Sequence, residues 1–178
     1  MGSSISWFAS RKTVPKEVMD EITQGLRKER SQFMERMAAA NPSFAKGFMS
    51  RMSEAGVVSN QHLPSGWHAV YVERGDVIHT FGPLLQKLSI GTTVVACFIE
   101  EHVMYCSAAQ WDNGQLTWTV IHDSQKGRNN IQTTGTPPPQ YKKIYADLKV
   151  KQDAPDACDF LFDVPVETAK AVTGIRIF

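Results

Sequence analysis

An α+β fold, with an antiparallel sheet of four to five strands flanked by N- and C-terminal helices, follows from three observations. Apolar and β-branched residues concentrate between Gly66 and His122, where WHAVYV, TTVVACFI, HVMYCSAAQW and QLTWTVIH read as strands. Asp112-Asn113-Gly114 separates the last two. Asn-Gly between apolar alternations marks a two-residue hairpin, because both residues accept the positive φ of a type I′ turn. Outside this region the spacing turns helical: Val14, Val18, Ile22 and Leu26 recur every fourth residue, and Tyr141, Ile144, Tyr145 and Leu148 fall at i, i+3, i+4 and i+7.

Taken in order, Ile5, Trp7 and Ala9 alternate with Ser4, Ser6 and Phe8, which predicts a short first strand. Thr13 before Pro15 and Glu17 then starts a helix. Residues 28–56 are helical in character and rich in Met and Phe: Phe33, Met34 and Met37, then Phe44, Phe48, Met49 and Met52. The pair Asn41-Pro42 divides the segment into two helices. Between the strands at 67–72 and 92–99, Leu84, Leu85 and Leu88 predict a short helix. The β-branched density of TTVVACFI is that of a central strand covered on both faces. TTGTPPP reads as a rigid extended linker before a helix over residues 140–151. FLF, at 160–162, predicts an edge strand. Asp163 is expected to cap a closing helix over 165–172, stopped by Gly174. The expected organisation is one α+β domain over 1–178, with the Met/Phe-rich helical pair (28–56) as an elaboration.

Composition narrows the function. With 178 residues, 42% hydrophobic and 21% charged, the chain is long enough to bury a core without staples. Nine Lys/Arg against six Asp/Glu give the first sixty residues +3, and ten against twelve give the remainder −2, for a net +1. So mild a split does not predict a nucleic-acid or membrane partner. No stretch approaches the roughly 18 apolar residues of a membrane span. Three cysteines without CxxC spacing, Cys97, Cys106 and Cys158, read as free thiols of a reducing cytoplasm. A cytoplasmic location is expected.

CFIEEHVMYCSAAQW, residues 97–111, places Glu100, Glu101 and His102 close to Cys106. With unbroken pairing around Asn113-Gly114, Tyr105 faces His122, Ser107 faces Val120, Ala109 faces Trp118 and Trp111 faces Leu116. Cys106 and His122 then point to opposite sides of the sheet and cannot form a nucleophile–base pair, which needs contact at about 3 Å. His102 and Cys106 share a face but lie about 13 Å apart along a strand, too far for one metal. A bulge would alter this facing. Glu100 and Glu101 sit at the tip of a turn, either as solvated charges or as contacts to a partner.

The remaining candidates have ordinary readings beside the functional ones. His122, Asp123, Lys126 and Arg128 could grip phosphate, but no Gly-rich fingerprint accompanies them and no helix follows at once, so a solvated connecting loop is the preferred reading. Asp153, Asp156, Asp159 and Asp163 lack the alternation of a calcium loop and read as turn and cap residues. Trp67, Trp111 and Trp118 could stack on bases, yet no basic stripe joins them, and core burial is expected. The Met/Phe segment either packs on the sheet or presents adaptable side chains to a partner.

Four stretches carry a resemblance: GWHAVYV (66–72), VVACFIEEHVMYCSAAQW (94–111), TWTVIHDSQKG (117–127) and DVPVETAKAVTG (163–174), with SSISWFA near the start. In this order they resemble a group of small bacterial proteins to which no activity is attached. That resemblance implies a common fold and transfers no catalytic residue. It also implies that the Met/Phe pair is an insertion, because similar chains pass more directly from the first helix to the GW strand. In type, the group is similar to the immunity proteins of bacterial toxin systems.

The expectation is therefore a non-enzymatic protein-binding protein, most concretely an immunity protein that neutralises a cognate toxin or effector. No catalytic, cofactor or metal residues are assigned. Met34, Met37, Phe48, Met52, Glu100, Glu101, His102 and Asp123 are the candidate partner-binding residues. The alternatives are a small hydrolase using His122 and Asp123, and a nucleic-acid-binding module through Lys126, Arg128, Lys142 and Lys143.

Overall fold

The computed structural model describes residues 4–40, 56–73, 76–154 and 158–175. In chain order the elements are β1 (Ser4–Ser10), α1 (Lys16–Ala40), β2 (Gly56–His62), β3 (His68–Glu73), α2 (Val77–Leu88), β4 (Thr93–Glu100), β5 (Tyr105–Asp112), β6 (Gln115–Asp123), β7 (Ile131–Gly135), α3 (Tyr141–Gln152) and α4 (Val164–Thr173). Short 3₁₀ turns occupy Ser124–Lys126 and Phe160–Asp163. The strands form one antiparallel sheet in the order β2-β3-β1-β4-β5-β6-β7.

The α+β class stands, but the sheet has seven strands rather than four to five. The two extra strands come from residues with weak signals. GVVSNQH becomes β2, on the outer edge against β3, and IQTTG becomes β7, on the other edge against β6. The linker reading of TTGTPPP was therefore wrong in its first half, since Thr133, Thr134 and Gly135 pair with β6 before the prolines end the strand. FLF is a 3₁₀ turn, not an edge strand. Asp163 stands at the start of α4 but makes no side-chain capping bond; Gly174, at φ 74, stops the helix as expected.

Side chains of successive strand residues point to opposite faces, and helices cover both. On one face Trp7, Val95, Cys97, Ile99, Cys106, Trp118 and Val120 pack against Leu148 of α3, Leu161 and Phe162 of the 3₁₀ turn, and Val164 and Ala169 of α4. On the other, Phe8, Val70, Val72, Val94, Ala96 and Trp111 meet Ile22 and Leu26 of α1 and Val77, Phe81 and Leu85 of α2. β4 is buried from Val94 through Ile99, as a doubly covered strand must be. All four tryptophans are core residues. Complete removal of any one of these rings is expected to cost about 3–5 kcal/mol.

β1 and β2 are both antiparallel to β3 and so run parallel to each other. The chain leaving Ser10 must therefore return along the sheet to reach Gly56, and α1 makes that passage. Its Gly25 lies against the Phe81 ring near the start of α2. At 25 residues α1 is about 37 Å long, whereas the seven residues of β1 span about 23 Å. The helix runs back toward the sheet end where Ser4, Glu73 and Glu100 lie, and beyond Leu26 none of its described side chains is buried.

Candidate functional site

Glu100, Glu101 and His102 occupy the β4–β5 turn at this same end. The left-handed φ of 51 at Met104 closes the turn. His102 is exposed; its backbone N–H donates to Glu100 Oε1 at 3.2 Å, and its Nδ1 lies 2.6 Å from the same oxygen. Tyr105, the first residue of β5, pairs with Glu100 on one side and Asp123 on the other. Asp123 accepts from Gln125 N and forms an ion pair with Lys126 at 3.3 Å, capping the 3₁₀ turn after β6. Ser124 ties that turn to the β4–β5 loop through Val103 O and Met104 O. Thus the structure gathers Glu100, Glu101, His102 and Asp123 at one end of adjacent strands.

Met34 and Met37 lie on the second half of α1, which is one continuous helix from Lys16 to Ala40. Beyond Leu26 none of the described side chains of this helix is buried, and Phe33 is 44% exposed. The side chains of Met34 and Met37, and both Phe48 and Met52, lie outside the described residues, as does the second member of the predicted helical pair.

The sequence reading missed a polar chain on the α1–α2 face. Asp76 caps α2, accepting from Ile78 N and His79 N at 2.9 Å each. His79 Nε2 is 2.6 Å from the Tyr105 hydroxyl and 3.7 Å from Asp76 Oδ2. Burial pushes the Asp76 carboxyl up, opposed by its capping bonds, and burial likewise pushes the Tyr105 phenol up. The available signal was Asp76 immediately before the apolar run VIHTF, which is an N-cap pattern that orients the histidine one turn along.

On the opposite face the expected separation of Cys106 and His122 fails. The turn is as predicted, with Asp112 pairing Gln115 and positive φ at Asn113 and Gly114. Pairing then runs from Trp111–Leu116 to Gln110–Trp118, so Thr117 is an extra residue in β6. Every residue beyond it changes face relative to unbroken pairing, and Cys106 stands directly opposite His122. His122 Nε2 is 3.0 Å from Asp159 Oδ2, and its ring meets the edge of Phe162. Asp123, by contrast, is on the other side of the sheet from His122.

Two members of this Cys–His–Asp set are sealed from solvent. Cys106 and His122 are fully buried, and His122 Nδ1 and Asp159 Oδ1 have no hydrogen-bond partner. Burial, reinforced by the Cys97 thiol, pushes the Cys106 thiol well above its ordinary range, which keeps it protonated and non-nucleophilic at neutral pH. Cys97 is also buried and free, whereas Cys158 is exposed. Lys126 and Lys143 are each held by an aspartate, Arg128 donates to Cys158 O, and Lys142 is exposed. Among the described residues, no three His, Cys, Asp or Glu side chains gather as a metal site, and no helix is long and apolar enough to cross a membrane.

No family model, no curated protein and no solved structure matches this chain.

Proposed function

We propose that this chain is a non-enzymatic protein-binding protein, most concretely a cytoplasmic immunity protein that binds and neutralises a cognate bacterial toxin. The observation that carries the reading is the second half of α1, residues 27–40, in which none of the described side chains is buried. Helix formation at that length is sustained by burial of an apolar face, and a helix in water alone is marginal. A protein partner supplies such burial. Phe33 and the positions of Met34 and Met37 offer adaptable apolar contacts there, and the Glu100–His102 turn with Asp123 supplies a polar rim at the same sheet end. Neutralisation on this reading is occlusion: a few apolar anchors carry most of the affinity, and the acidic rim sets orientation and partner choice.

A hydrolase reading has one observation in its favour, the alignment of Cys106, His122 and Asp159. It is disfavoured because the first two are fully buried and the thiol is held protonated. Co-expression tests the proposal. With a toxin-domain protein encoded beside its gene, this chain should co-purify as a stable complex and suppress the toxin in stoichiometric amounts. Suppression at catalytic amounts would favour an enzyme, and no association at micromolar concentration would remove the immunity reading.

A further inference from the structure

The β2–β3 hairpin ends in two facing histidines. His62, the last residue of β2, pairs directly with His68, the first of β3. Leu63 N donates to Trp67 O at 2.8 Å, so the adjoining pair His62–His68 is a non-hydrogen-bonded one, the kind whose side chains approach most closely. The two imidazoles lie side by side, with ring centroids 4.6 Å apart and planes inclined at 50°. His62 is exposed and His68 half-buried, and among the described residues neither ring has a hydrogen-bond or ion-pair partner. The backbone beneath them is fixed from both sides. β1 holds the far side of β3, where Ser10 pairs with His68. Gly66, at φ 80, closes the turn, and Arg11 ties it down by donating to Ser65 O and covering the Trp67 ring.

We propose that His62 and His68 chelate one Ni(II) or Cu(II) ion. Neutral imidazole nitrogen is the commonest protein ligand of such late first-row ions and bonds at about 2.0–2.1 Å. A metal at that distance from two ring nitrogens lies about 3.2 Å from each ring centroid. The centroids then stand about 4.5 Å apart at a 90° angle and about 5.2 Å apart at the tetrahedral angle. The observed 4.6 Å fits two adjacent positions of a tetragonal or octahedral ion, Cu(II) or Ni(II), better than tetrahedral Zn(II). Among the described residues no third His, Cys, Asp or Glu joins the pair, so water completes the coordination and the metal exchanges freely. The inference is independent of the toxin-binding reading.

The test is an NMR titration of the untagged full chain with NiCl2 at pH 8, with His62→Gln, His68→Gln and His79→Gln beside it. The expected result is saturable paramagnetic broadening centred on residues 60–63 and 67–70. Either hairpin variant should weaken Ni(II) binding at least about tenfold, because a chelate loses the effective concentration of its second ligand. His79→Gln, which removes an exposed histidine outside the pair, should leave that affinity unchanged. ZnCl2 should bind there at least about threefold more weakly than NiCl2. Broadening centred elsewhere, or hairpin variants that bind Ni(II) as tightly as the unaltered chain, would overturn the proposal. Zn(II) bound more tightly than Ni(II) would overturn the choice of metal.

Discussion

Cys106 on β5 stands directly opposite His122 on β6, and the pairing exists because one residue, Thr117, is inserted into β6 near the hairpin turn. The insertion converts what regular alternation makes two faces into a shared one. It buries His122 against Asp159 and Phe162 beneath α4.

The His122–Asp159 contact is a half-satisfied buried pair, since Nδ1 of one and Oδ1 of the other find no partner. Removing either side chain alone strands the other. Asp159→Ala and His122→Leu should each destabilise by about 2–3 kcal/mol. The double variant should cost less than the sum, with a coupling of about 1–2 kcal/mol. Urea unfolding of the four chains measures this; additive losses would show that the contact contributes nothing.

Gly135 holds β7 against the Thr117 insertion. Its φ is +66, and an added Cβ would lie 1.9 Å from Thr117 O. Gly135→Ala therefore meets both backbone strain and a clash with main chain, and should cost about 2–4 kcal/mol. Gly174, at a similar φ but with nothing near its Cβ position, should lose only about 1 kcal/mol on the same substitution. Matching losses in thermal or urea unfolding would contradict the close approach.

The fold was legible where periodicity is strong and pairing is regular. The Asn113-Gly114 turn, the central strand at 93–100, the amphipathic stripe Val14–Val18–Ile22–Leu26 and the Gly174 stop all follow from local rules. β2 and β7 were not legible, because edge strands bury one face at most: Asn60, Gln61, Gln132 and Thr133 are exposed and give no apolar alternation. The Thr117 insertion has no local signature either. Its cause is tertiary, since it lets Trp111 and Leu116 face α2 while Trp118 faces α3 and α4. The Asp76–His79–Tyr105 chain joins residues far apart in sequence through the docking of α2, a relation that spacing along the chain does not encode.

The thiols should differ sharply in behaviour. Cys158 is exposed, whereas Cys97 and Cys106 are buried, so a thiol-reactive dye should label Cys158 rapidly in the folded chain and the other two only on unfolding. Burial raises the Cys106 thiol in the folded state, so the unfolded chain releases that proton first. The contribution is intact below the unfolded value, near pH 8.5, and is lost as pH rises above it by up to about 1.4 kcal/mol per unit. Cys106→Ala should remove that alkaline decline. Stability profiles of both chains from pH 7 to 10 check this, and parallel curves would contradict it.

The most direct measurement of the central claim is the affinity of this chain for the toxin-domain protein encoded beside it, compared between the unaltered chain and Phe33→Asp. Phe33 is 44% exposed on the second half of α1, so the substitution should leave the melting temperature unchanged. The expected result is a submicromolar complex weakened at least about tenfold by the single charge. No association at micromolar concentration, or equal affinity of the two chains, would contradict the account.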